Sequence, residues 1–203
     1  MDRILAHWSA GTYNIGRLEK EHYHRIIDGD GKVHEGDHSI SDNLSTNDGD
    51  YAAHTRRCNT GSIGVSIACM ADAKEGHRHG KYPMKEIQFE ALCEEMARLC
   101  ILYEIHISSL TTLSHAEVHS NLGIAQSGKW DFTELSFKPE LKGARECGDF
   151  MRQRIRHYMT YEPLTQVVEN TQEFLNTMGA ELVVDGDWGP MSNIAWSDHR
   201  SRL

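Results

Sequence analysis

The chain lacks an excess of positive charge: Lys+Arg number 21 against 30 Asp+Glu, for a formal net charge of −9. That argues against nucleic acid as the main partner, because phosphate binding needs a basic surface. An anionic substrate would have to be held by local groups and not by the global field. Long apolar runs are missing as well. No stretch approaches the ~20 residues needed to span a bilayer, so no stable membrane association is expected. The N-terminal "MDRILAHWSAG" has only a short apolar patch, far below a signal-peptide core. The expectation is synthesis in the cytoplasm, with any action beyond it requiring a separate release route. Cysteines number only five (Cys58, Cys69, Cys93, Cys100 and Cys147) and none shares a CxxC spacing. An odd count without paired spacing excludes a disulfide framework and leaves small buried thiols as the reading. Internal repeats and low-complexity tracts are also absent.

What is present suits one domain of moderate size with a small appendage, since 203 residues exceed a typical single domain only slightly. "RILAHWSA" reads as a short strand with His7 near its end. "HYHRIIDGDGKVHEG" reads as a hairpin, with Asp28-Gly29-Asp30-Gly31 supplying the turn. "GSIGVSIACM" is an apolar, β-branched run of strand length, expected to be buried on both faces. In residues 84–105 the apolar positions Ile87, Leu92, Met96, Leu99 and Ile101 predict an amphipathic helix. "LTTLSHAEVH" predicts a strand or strand end leading into a polar loop. With a helix-capable segment at 13–21, this order predicts an α/β domain, a mixed central sheet flanked by helices, over residues 1–140. Residues 141–162 read as a helical linker. Residues 163–203 form a small helical unit, with a helix ending at Gly179, a turn at "DGDWGP" and a short second helix.

The chain is rich in histidine, with 13, so a histidine alone says little; most are surface or hydrogen-bonded structural residues. His7, His115 and Asp131 differ in placement. Each lies at or just beyond the end of a strand-like apolar run, where side chains converge at a sheet edge. Two imidazoles and a carboxylate would leave one zinc position open, the arrangement of catalytic sites. Their wide separation in sequence leaves the structural reading open at this level.

The motifs taken in order add more. "AHWSAG", "HYHRIIDGDGKVHEG", "AAHTRRCNTGSIGVSIACM", "LSHAEVH" and "GKWDF" together resemble the zinc-dependent N-acetylmuramoyl-L-alanine amidases of the type-2 amidase and peptidoglycan-recognition superfamily, phage endolysins included. The resemblance covers residues 3 to about 135. It implies Zn²⁺ bound by His7, His115 and Asp131, a catalytic Lys129, and Tyr23 in the hairpin position that faces the metal. It further implies His54 beside the substrate groove and Trp130 against the glycan or closing the core. His119, four residues after His115, is read as a groove or surface residue because His115 occupies the motif position. Some family members carry a glutamate on the central strand as general base, but "GVSIACM" has no acid. Proton transfer would then rest on Tyr23, Lys129 or water.

In the C-terminal unit, "TQEFLNTMG" and "VVDGDWGPMSNIAW" resemble a short three-helix peptidoglycan-binding module. The expected function is hydrolysis of the amide between N-acetylmuramic acid and L-alanine, on peptidoglycan or muropeptide. An endolysin released through a holin fits better than a recycling enzyme, because soluble fragments need no wall tether. A non-catalytic peptidoglycan-binding protein on the same fold is the alternative.

Overall fold

The computed structural model describes residues 1–203 apart from 77, 162, 186–189 and 202–203. They fall into two compact units, Met1–Arg156 and His157–Leu203. In the first, strands β1 (Arg3–Trp8), β2 (Arg25–Ile27), β3 (Val33–Glu35), β4 (Ser62–Ile67) and β5 (Thr112–Ser114) form one mixed sheet in the order β3-β2-β4-β1-β5. β1 runs parallel to both β4 and β5, β2 runs parallel to β4, and β3 closes the edge antiparallel to β2. β4 is buried along its whole length and β1 from Ile4 onward. Continuous apolar runs are what parallel strands covered on both faces require.

The "IIDGDGKVHE" turn joins β2 to β3 as expected. Asp28 Oδ1 accepts from the amides of Asp30 and Lys32, Oδ2 lies 2.7 Å from His34 Nε2, and Gly31 takes φ 83°. Between the strands run the short helices α1 (Arg17–His22), which lies within the segment read as helix-capable, and a 3₁₀ turn at Ile40–Leu44.

Helix α2 (Glu86–Leu102) covers the sheet with Phe89, Leu92, Cys93, Met96, Leu99 and Cys100. Ile87 and Ile101, expected on that face, point to solvent at 57% and 38% exposure. Polar residues take part of the buried stripe instead. Gln88 donates to the carbonyls of Asp28 and Ala68, tying the helix start to the hairpin, and Glu95 pairs with Arg25 and Arg98. A period count scores apolar residues alone, so it cannot see buried amides and carboxylates that are fully partnered.

After β5 the chain forms α3 (Glu117–Leu122), where the sequence predicts a strand end leading into a loop. Segment 141–162, expected as a linker, is helical as α4 (Gly143–Tyr161), but through Arg156 it belongs to the first unit. Cys147, Met151 and Ile155 are fully buried, and Phe150 stacks on Phe89 at 5.5 Å. A helix with such a face cannot stand as a spacer. The first unit therefore extends beyond residue 140.

The second unit contains α5 (Pro163–Thr177) and α6 (Pro190–Ser201). Two amides one turn apart on α5 clamp the segment that follows. Gln172 exchanges bonds with Asp185, and Asn176 with the backbone of Leu182 at 2.7 and 2.9 Å. The turn expected at 185–190 falls largely outside the described residues. Among those described, no helix is long and apolar enough to cross a membrane.

His24, fully buried, joins the hairpin to the sheet: its Nδ1 accepts from the Gly64 amide at 2.9 Å and its Nε2 lies 3.1 Å from Asn43 Oδ1. Burial lowers its pKa from 6.5 to about 4. The unfolded chain therefore takes up this proton near pH 6.5 and the folded chain only near 4. Stability is full above pH 6.5 and falls as pH drops towards 4, by up to about 3 kcal/mol from this residue. Denaturant midpoints of chelator-treated protein at pH 7.5, 5.5 and 4.5 should decline in that order.

Candidate metal centre

His7 is the fifth residue of β1, and His115 follows β5 directly, its amide donating to Ala6 C=O at 3.0 Å. Because β1 and β5 are parallel, both histidines arrive at the same carboxyl edge of the sheet, where open α/β sheets place their ligand crevices. Asp131 comes from a separate turn, closed by the Thr133 amide on Trp130 C=O at 3.0 Å. Phe132 adopts φ 66° there, an uncommon backbone for a large side chain. That reversal buries Phe132 against Trp8 and Phe89 while Asp131 faces the histidines.

The three side chains converge. His7 Nδ1 and His115 Nδ1 are 3.0 Å apart, and each lies 3.6 Å from Asp131 Oδ2. Ligands at 2.0–2.1 Å from a tetrahedral zinc ion stand about 3.3 Å from one another, so this spacing fits three corners of such a site. All three residues are buried.

The protons fit as well. His54 Nε2 faces Ser62 C=O at 3.4 Å and so carries hydrogen, which leaves its Nδ1 as acceptor. His54 Nδ1 lies 2.9 Å from Thr55 Oγ1, and His7 Nε2 lies 3.3 Å from both; a hydrogen on His7 Nε2 finds an acceptor in either. The His7 Nδ1 lone pair is turned to the centre, where a cation is the natural partner for two imidazoles and a carboxylate. Burial, and then the neighbouring His115, lowers the His7 pKa to about 4 against the pull of Asp131. Burial pushes the Asp131 carboxyl up, but the imidazoles of His115 and His7 beside it outweigh that and hold the group well below the usual carboxylate range. His7 thus stands as neutral imidazole beside an ionised carboxylate, the protonation state in which these groups ligate metal.

Around this centre the other expected residues take different places. The Tyr23 ring lies 5.2 Å from that of His7, and burial followed by the Asp131 charge raises its hydroxyl pKa, so it stays protonated. Lys129 is exposed, yet near enough for its charge to depress His7. Trp130 packs edge-on against Trp8 at 4.7 Å and is half-buried. His54, expected beside the substrate groove, is only 7% exposed and stands behind His7 as its backing partner. His119 is exposed on α3.

Two contributors lay beyond sequence reasoning. Gln126 places Oε1 3.1 Å from His115 Nε2. Gly64 on β4 gives room to His54: a Cβ there would stand 2.5 Å from the imidazole. "SIGV" carried a signal, a glycine inside a strand marking close approach, but not what approaches. Gly64→Ala should lower stability by about 1–3 kcal/mol through overpacking, read from chemical denaturation of the chelator-treated protein.

Residues 2–133 match the N-acetylmuramoyl-L-alanine amidase family, Amidase_2. Among solved structures, the N-acetylmuramoyl-L-alanine amidase LysC from Clostridium intestinale URNW is similar, with a TM-score of 0.41 and 14% identity over 68% of this chain and 80% of that one. No curated protein matches the chain. With the family match running from β1 through the turn that carries Asp131, the chain belongs to the N-acetylmuramoyl-L-alanine amidase family.

Proposed function

We propose that this chain is a zinc hydrolase that cleaves the amide between the lactyl group of N-acetylmuramic acid and L-alanine in peptidoglycan. The observation that carries the reading is the convergence of His7 Nδ1, His115 Nδ1 and Asp131 Oδ2 from three separate elements at 3.0–3.6 Å. Zn²⁺ held there supplies Lewis acidity, polarising the scissile carbonyl and making water a nucleophile near neutral pH. The remaining work falls to the chain. Asp131 supplies the one negative charge among the three ligands. Tyr23, kept protonated, is a hydrogen-bond donor facing the reacting carbonyl and not a base. Lys129 brings its ammonium to the rim, where it stabilises the developing oxyanion, an effect worth roughly 3–4 kcal/mol in favourable sites. β4 offers Ser66 beside His7 in register and no carboxylate, so the proton lost by water leaves through solvent.

The second unit is read as a wall tether that raises local enzyme concentration. What supports this is its resemblance to wall-binding modules, the side-chain clamp formed by Gln172 and Asn176, and the exposed Phe174, Ile194 and Trp196. A tether suits an endolysin that reaches the wall through a holin. The test is to digest purified peptidoglycan with and without a chelator and score new N-terminal alanine amines. Release that the chelator stops is expected; no release by zinc-loaded protein would overturn the reading.

A further inference from the structure

Gln126 lies on the loop after α3, away from every motif described above. The loop is fixed at its start: Gly123 caps α3 at φ 70°, and Ile124 packs on the buried cluster of Leu5, Cys58, Leu113 and Val118. Beyond it, the Gln126 side chain makes two bonds. Its amide nitrogen donates to Arg56 C=O at 2.9 Å, and its Oε1 lies 3.1 Å from His115 Nε2. A carbonyl can only accept, so the Arg56 bond fixes which end of the amide faces His115. An amide oxygen also only accepts. His115 Nε2 must therefore carry its hydrogen, and Nδ1 is left with a lone pair.

The consequence lies on the other side of the ring. His115 Nδ1 is 3.0 Å from His7 Nδ1 and 3.6 Å from Asp131 Oδ2. Were the hydrogen on Nδ1, it would bridge to one of these acceptors and close the centre with a proton. That tautomer needs no cation and must be undone before one binds. With His7 already held by His54, the outcome turns on His115 alone.

We propose that Gln126 is a positioning residue: anchored by the Arg56 carbonyl, it keeps the His115 hydrogen on Nε2 and so keeps the metal centre open. The proposal rests on the zinc reading for its consequence, but its immediate effect, the tautomer, exists without metal. Loss of such an outer partner lowers metal affinity roughly 10–100-fold.

The test compares the full-length parent with Gln126→Leu, which removes the acceptor at similar volume, and Gln126→Glu, which keeps one. Two quantities are read: the zinc dissociation constant against a competing chelator, and the His115 ring tautomer from long-range ¹⁵N–¹H correlation on the metal-free proteins. For Gln126→Leu the expected results are zinc binding weakened roughly 10–100-fold and His115 shifted towards the Nδ1–H form. Gln126→Glu is expected to keep the Nε2–H form. An unchanged tautomer in Gln126→Leu overturns the proposal, and so does equal loss of the Nε2–H form in both variants, which would make the side chain a packing element only. A parent that shows the Nε2–H form, loses it in Gln126→Leu and yet binds no zinc would leave the positioning role standing and overturn the zinc reading instead.

Discussion

Asp131→Asn is expected to weaken zinc binding by at least 100-fold and to reduce alanine release to the level of chelator-treated parent. The asparagine keeps the shape of the site and removes its charge. Asp131 is the only anion among the three candidate ligands, and its carboxyl, beside both imidazoles, is held well below the usual carboxylate range despite near-complete burial. Stability separates this effect from simple misfolding. Melting the metal-free parent and the metal-free variant first gives the cost to the fold itself of losing the Asp131 charge. Zinc, however, stabilises only the state that binds it, by about 2.7 kcal/mol at a concentration 100-fold above its dissociation constant. The parent should therefore gain thermal stability with added zinc while Asp131→Asn gains almost none. A variant that melts normally, gains as much from zinc as the parent and retains full activity would remove Asp131 from the centre altogether.

The elements that carry this centre were open to sequence reading because their signals are local. "RILAHW" and "SIGVSI" are continuous apolar runs, and parallel buried strands have that pattern. The hairpin wrote its own turn in Asp28 and Gly31. The three candidate ligands were recognisable only through the order of five motifs, since nothing in their spacing brings residues 7, 115 and 131 together. What stayed hidden depends on contacts between distant segments. The resemblance places His54 beside the groove, and Gly64 makes a hollow that draws its ring in behind His7. Ile87 and Ile101 looked like core because helical periodicity counts apolar residues, whereas Gln88 and Glu95 occupy that buried stripe with their partners supplied by the hairpin, β4, β2 and the helix itself. α4, read as a linker, is bound into the first unit by its buried Cys147, Met151 and Ile155 and by a buried polar pair.

That pair is the basis of the second large effect, on stability. Arg152 of α4 and Glu117 of α3 are both almost fully buried and joined by two bonds, at 2.8 and 3.1 Å. Arg152 also donates to Thr112 C=O at 2.9 Å, and Glu117 accepts from the Ser114 amide at 2.9 Å. The two side chains thus grip both ends of β5, immediately before His115. Gly148 lets α4 come this close, for a Cβ there would stand 2.4 Å from the Glu117 carboxylate. Arg152→Leu leaves that carboxylate buried without its cation, which costs about 3–5 kcal/mol. The paired change Arg152→Leu with Glu117→Leu removes both charges and should restore most of this, because well-packed apolar replacements of buried pairs are often neutral or better. Chemical denaturation of the two variants against the parent checks the order. Zinc affinity should follow a different order: the double variant regains stability but not affinity, because the Ser114 amide has lost the acceptor that fixes the approach to His115. Equal recovery of both quantities would show that the pair serves the fold alone and leaves the metal centre to the residues at its edge.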